Sequence, residues 1–180
     1  VLKVAGGVPT WAAPSGGAGG SYTLLNAGGT ALTAASTITI GSISGIEKLM
    51  IVVSEASSVN SGSIIRVIIN GDTANYQYVV GGVQISQASS YQVNSLETVT
   101  TSGGAANIPL GRTPDDAAGS VNGVVQIDAC ASTGYKSWTS RGAGAYGSSA
   151  NGRTYTLGGI YLASAAVTSV AVVSSSGNFD

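Results

Sequence analysis

The run Ile64–Ile69, IIRVII, closed at once by Asn70-Gly71-Asp72, constrains the fold more than any other stretch of the chain. Val and Ile pack well on a pleated surface, and a short apolar run ended by turn residues predicts a buried strand rather than a helix. Gly71 takes a positive φ without a Cβ clash, and Asn70 and Asp72 are residue types that bond neighbouring backbone N–H groups. Residues 75 to 80 are therefore expected to return antiparallel or to cross to a second sheet. Asn70, Asp72 and Asn75 also offer hard oxygens of the kind calcium takes. Calcium, however, takes about six to eight oxygens with several carboxylates, and only one is present. Turn chemistry is the expectation and a metal loop the alternative.

The same grammar recurs along the chain. Residues 21 to 26 and 37 to 40 alternate with a period of two, and 48 to 54, KLMIVVS, form a denser run suited to a central strand covered on both faces. After a polar loop over 55 to 62 and the Ile64 run, strands are predicted at 79 to 85, 91 to 100, 123 to 129, 153 to 162 and 168 to 174. A brief pairing is expected at 106 to 110, with loops at 99 to 106 and around Pro114-Asp115-Asp116. In YKSWTS, residues 135 to 140, Trp138 is expected to face inward and Lys136 to pair or snorkel at an edge. No window carries a sustained helical stripe with caps. These strands, joined by Gly and Asn turns, predict an all-β, antiparallel β-sandwich of jelly-roll type over residues 21 to 180, with an immunoglobulin-like sandwich as runner-up. Residues 1 to 20 read as an extended N-terminal connector, Gly, Ala, Pro and Ser rich, in which Trp11 is expected to anchor on a neighbouring chain or domain.

Composition removes several function classes. Only 8% of residues are charged, against about 25% in ordinary globular proteins, the net charge is −1 and mean hydropathy is +0.30. Such a chain lacks the surface charge that resists association, so self-association is expected. Its seven Lys and Arg are scattered singly, which leaves no basic stripe for nucleic acid. No window approaches the ~20 apolar residues of a helical membrane span. The first residue is Val and no secretory signal layout is present, which reads as a processed chain or part of a longer one. With no His, neither a Ser-His-Asp triad nor an imidazole metal site can be built. Cys130, the sole cysteine, is expected to be a small buried hydrophobe. Asp115-Asp116 is the only adjacent acid pair and reads as a solvated turn rather than a glycosidase pair, while Glu97 and Asp128 lie on predicted strands. No enzyme, cofactor or metal is expected.

Tyr is enriched, with 8 against a single Phe. Tyr76, Tyr78, Tyr91, Tyr135, Tyr146 and Tyr155 suit core and subunit packing, and an exposed Tyr also suits glycan stacking. The segment 141 to 152, RGAGAYGSSANG, reads as a long Gly-rich loop. Arg141 and Tyr146 within it pair a planar cation with an aromatic face, and are the expected host-contact residues.

Several phrases resemble one family. VLKVAGGVPTWA at residues 1 to 12 is similar to a phrase of bacteriophage tail fibres and related virion proteins, commonly found where a shaft meets a more globular region. NGDTANY at residues 70 to 76, GVVQIDACASTGYKSWTS at 123 to 140 and VTSVAVVSSSGNF at 167 to 179 extend the resemblance over most of the chain. The resemblance implies a non-enzymatic virion structural protein, a tail fibre or spike domain that is homotrimeric and contacts the host surface. Its partners are then itself, other virion proteins through the N-terminal segment, and host surface glycan. Alternatives are a capsid decoration protein and a polysaccharide-degrading spike. In that family a further strand usually follows the GNF turn, whereas this chain stops at Asp180, which again reads as a fragment. The family shares no catalytic residues to carry over.

Overall fold

A computed structural model describes residues 2–5, 8–11, 23–26, 28–60, 62–85, 91–92, 107–113, 119–146 and 151–180. It divides into two compact units, Val1–Thr30 and Ala31–Asp180. In the first, β1 (Leu2–Ala5) pairs antiparallel with β2 (Val8–Trp11), and Trp11 stands opposite Leu2. The expected extended connector thus holds a hairpin: two apolar runs around Gly6-Gly7 are a hairpin signal that the Gly and Pro content of the segment obscured. Of the strand expected over residues 21 to 26, the described residues 23 to 26 form none, and residues 21 and 22 lie outside the described residues.

The second unit is all-β, a sandwich of two antiparallel sheets with no helix among the described residues. Its strands are β3 (Thr37–Ile40), β4 (Lys48–Ala56), β5 (Ile64–Ile69), β6 (Tyr76–Ile85), β7 (Tyr91–Gln92), β8 (Ile108–Arg112), β9 (Val121–Asp128), β10 (Lys136–Tyr146), β11 (Asn151–Tyr161) and β12 (Val170–Ser174). One sheet runs β4-β9-β10-β11-β6-β7 and the other β3-β12-β5-β8. Residues 93–106 and 114–118, with Glu97, Asp115 and Asp116, lie outside the described residues.

The organising run behaves as half a strand pair's worth of core. Ile65, Val67 and Ile69 are fully buried, while Ile64, Arg66 and Ile68 occupy the other face, so β5 is covered on one side rather than two. They belong to one buried cluster with Leu49, Val125, Ile127 and Trp138 from the larger sheet. β4 departs further from expectation. It is an edge strand, and Met50 and Val52 project to solvent. Because the five positions after Lys48, LMIVV, are all apolar, the sequence carries no alternation from which one open face can be told. A bulge between Val53 and Ala56 bends its end, where Glu55 takes a φ of 54° and its N–H is bonded by the Asn122 side chain. Such bulges blunt an open edge.

The Gly-rich segment is mostly strand. Residues 141–146 complete β10, residues 151 and 152 open β11, and the two pair in unbroken register from Lys136↔Tyr161 to Tyr146↔Asn151. The glycines have a packing cause. A Cβ on Gly142 would stand 1.8 Å from the Leu110 carbonyl oxygen, and one on Gly144 would stand 2.6 Å from that of Arg112. At this point β8 of the smaller sheet lies directly against the backbone of β10, and only residues without a side chain admit it. Gly159 serves Trp138 in the same way, since its Cβ would meet the indole at 2.6 Å.

Candidate functional site

The turn after β5 crosses between the sheets. Asn70 and Gly71 take φ of 53° and 69°, and the Asp72 N–H donates to Ile69 O at 2.9 Å, which is the two-residue turn normally seen in hairpins. Here it leads instead from the smaller sheet into the larger, since β5 and β6 lie in different sheets. The crossing is clasped by Tyr76, whose hydroxyl accepts from Ile69 N at 2.7 Å. Tyr76 and Tyr161 are both buried, their ring centroids 5.0 Å apart.

Of the side-chain oxygens weighed above for calcium, those of Asn70 and Asp72 are engaged within the protein. Asn70 Oδ1 accepts from Thr168 N, Thr168 Oγ1 and Ser169 N, and its Nδ2 donates to Ala166 O. Asp72 accepts from Ala74 N, from Asn75 Nδ2 and from the Tyr161 hydroxyl at 3.1 Å. Burial pulls the Asp72 carboxyl upward, but these donors outweigh it and hold it below its usual range.

Around this turn four loops are tied into one rigid end. Cys130 N donates to Glu47 O, Val167 N to Cys130 O, Ile43 N to Thr168 O and Leu162 N to Asn75 O, all within 3.0 Å. Lys136 is buried beneath them rather than at an edge, because β10 is an interior strand. Its Nζ donates to Gly134 O at 2.6 Å and Ala163 O at 3.4 Å, and burial lowers its pKa. The lysine therefore ties Gly134, the residue before Tyr135, to Ala163 of the β11–β12 connection, and Tyr135 stands 65% exposed. At the opposite end, the hydroxyls of Ser58, Ser63 and Ser174 are buried and bond one another and the main chain.

The sequence-derived contact residues are not brought together. Arg141 is exposed in mid-strand opposite Val124 and Thr156, whereas Tyr146 closes β10 opposite Asn151. Five extended residues separate their backbones by about 17 Å. Trp11 belongs to the first unit. Asp128 lies on the solvent face of β9 in an ion pair with Lys48 at 3.1 Å, which at this exposure contributes under about 1 kcal/mol. Tyr135 and the open face of β4 had no distinguishing sequence signal, because exposure of a Tyr or Met is set by which strand ends and edges remain uncovered.

No protein-family model, curated protein or solved structure matches the chain. Its chemistry is therefore argued from its own residues. Burial pushes the Cys130 thiol up to about 11, and burial likewise raises the phenols of Tyr76 and Tyr161. In the unfolded chain these groups lose protons earlier, so the stability they carry is complete below about pH 9 and is lost as pH rises through their folded values. Lys136, with a lowered pKa, acts in the opposite sense up to about pH 10.5. Chemical denaturation between pH 7 and 11 is expected to show stability falling above pH 9. In Cys130→Ala that fall is shallower by roughly 2 kcal/mol; an unchanged slope excludes the thiol as its source.

Proposed function

We propose that the chain is a non-enzymatic structural domain of a virion surface, a homotrimeric tail fibre or spike module that presents a host-contact end. The observation that carries this is the rigid loop end. Four connections are bonded to one another, so an exposed aromatic is displayed without freedom to collapse. Rigid scaffolds with contact residues on their loops are the usual layout of binding modules. A Tyr ring held in this way stacks on a sugar face and bonds a hydroxyl at its rim. The resemblance of several of its phrases to those of phage fibre proteins supports the virion setting. The jelly-roll form of the sandwich belongs to the same proposal, since viral capsid and lectin domains use it. In this reading Tyr135 replaces Arg141 and Tyr146 as the leading contact residue.

Antibody labelling of intact particles in the electron microscope is expected to mark the distal end of the tail. Label on the capsid faces makes the protein a decoration subunit instead, and absence from purified particles overturns the virion assignment. On labelled particles, Tyr135→Ala is expected to reduce host adsorption at least about tenfold with an unchanged melting temperature. Unchanged adsorption removes Tyr135 from the contact.

A further inference from the structure

The solvent face of β4, β9 and β10 places apolar side chains beside one another. Val52 stands 71% exposed opposite Val124, which in turn lies opposite Arg141; Met50, 39% exposed, stands opposite Gln126. Arg141 has no hydrogen bond or ion pair among the described residues. On the same face Asp128 Oδ1 pairs with the Lys48 ammonium, and among the described residues its Oδ2 accepts only from the Gln126 amide at 3.4 Å, which also reaches Oδ1 at 3.3 Å. An exposed guanidinium and a carboxylate with one lightly used oxygen thus share one partly apolar sheet face.

We propose that this face seats a second copy of the chain about a local twofold, with Arg141 of each copy meeting Asp128 of the other. The register makes the face its own complement. Arg141 is opposite Val124, and Asp128 lies four residues along β9 from Val124. The two positions are therefore offset by about 5 Å across the strands and about 14 Å along them. The in-plane twofold that exchanges them crosses the two sheets at roughly 40°, close to the ~30° at which aligned sheets pack. Its axis runs through the row Met50, Gln126 and Thr139, midway between the charged rows, so the two Met50 side chains meet each other.

The size is sufficient. With β11 included, four strands of about eight residues give roughly 19 by 27 Å, or about 1,000 Å² in plan for the two copies together, where specific interfaces begin. The low charge of the whole chain acts in the same direction, because little repulsion opposes the approach of two copies. A guanidinium facing a carboxylate supplies the directional contact that sets the register. The pairing does not depend on the virion assignment; a closed threefold trimer has no twofold contacts of its own, so in a trimeric module this face joins one trimer to another.

The test uses the full-length chain in sedimentation velocity at micromolar concentration, with circular dichroism to confirm folding. Arg141→Glu and Asp128→Lys each place like charges at both contacts, and each alone is expected to weaken self-association at least tenfold. Mixing the two variants is expected to restore a 1:1 pair, because one contact then joins Glu to Lys and the other keeps Arg with Asp. Should Asp128→Lys not fold, Asp128→Asn removes the acceptor without adding charge, and the same loss is expected. Wild-type association in either folded charge variant overturns the proposal, as does failure of the mixture to recover. A trimer indifferent to every substitution overturns this contact while leaving the trimeric module above intact.

Discussion

Gly142→Ala is expected to lower stability by about 3 kcal/mol or more, toward the upper end of what overpacking costs. The added methyl would stand 1.8 Å from the Leu110 carbonyl oxygen. That atom is main chain in β8, so no rotamer change relieves the clash. The two sheets must move apart, and the contacts of Leu110, Val121 and Val125 around the gap loosen together. For a domain of this size the melting temperature should fall by roughly 6 to 12 °C. Gly158→Ala is the control on the neighbouring strand. Among the described residues its Cβ would meet only the Trp138 carbonyl oxygen at 3.9 Å, an ordinary contact, and little change is expected. Equal melting temperatures for the two variants would contradict the close approach of β8 to β10.

Asn70→Ala is expected to cost about 3 to 4 kcal/mol, from two separable causes. Its amide accepts three hydrogen bonds from Thr168 and Ser169 and donates one to Ala166, each contributing about 0.5 to 1.5 kcal/mol. Its backbone φ of 53° adds about 1 kcal/mol for a residue with a plain Cβ. Asn70→Gly also loses the hydrogen bonds but escapes the φ cost, so it should sit about 1 kcal/mol above the Ala variant in denaturant titrations. A Gly variant no more stable than the Ala variant would show that the bonds to the β11–β12 connection carry the whole effect. Loss of those bonds should also loosen the loop end, visible as faster amide exchange at Thr168 and Ser169.

The tertiary structure changed the meaning of residues whose identity was plain from the start. Asn70-Gly71 was legible as a turn because positive φ and a side-chain amide are local properties. That this turn would cross between sheets instead of closing a hairpin depends on which strand β6 pairs with, and its partner β11 lies about 80 residues away. Trp138 was legible as inward-facing from the alternation in YKSWTS, and it is buried. Lys136, two residues earlier on the same face, was misread as an edge residue, because whether β10 is central depends on β9 and β11 rather than on β10.

The Gly-rich segment shows the same limit most clearly. Glycine in RGAGAYG has two physical uses, flexibility in a loop and close approach of another backbone, and the local sequence is identical for both. Only the position of β8 across the core selects the second. By itself the chain determined an all-β class, a dense set of turns, a core of Val and Ile, and a low content of charge. The assembled sandwich decided which strand is an edge, which faces stay open, and which charges stand near one another. Those properties arise from contacts between residues far apart in sequence, and no periodicity along a single strand encodes them.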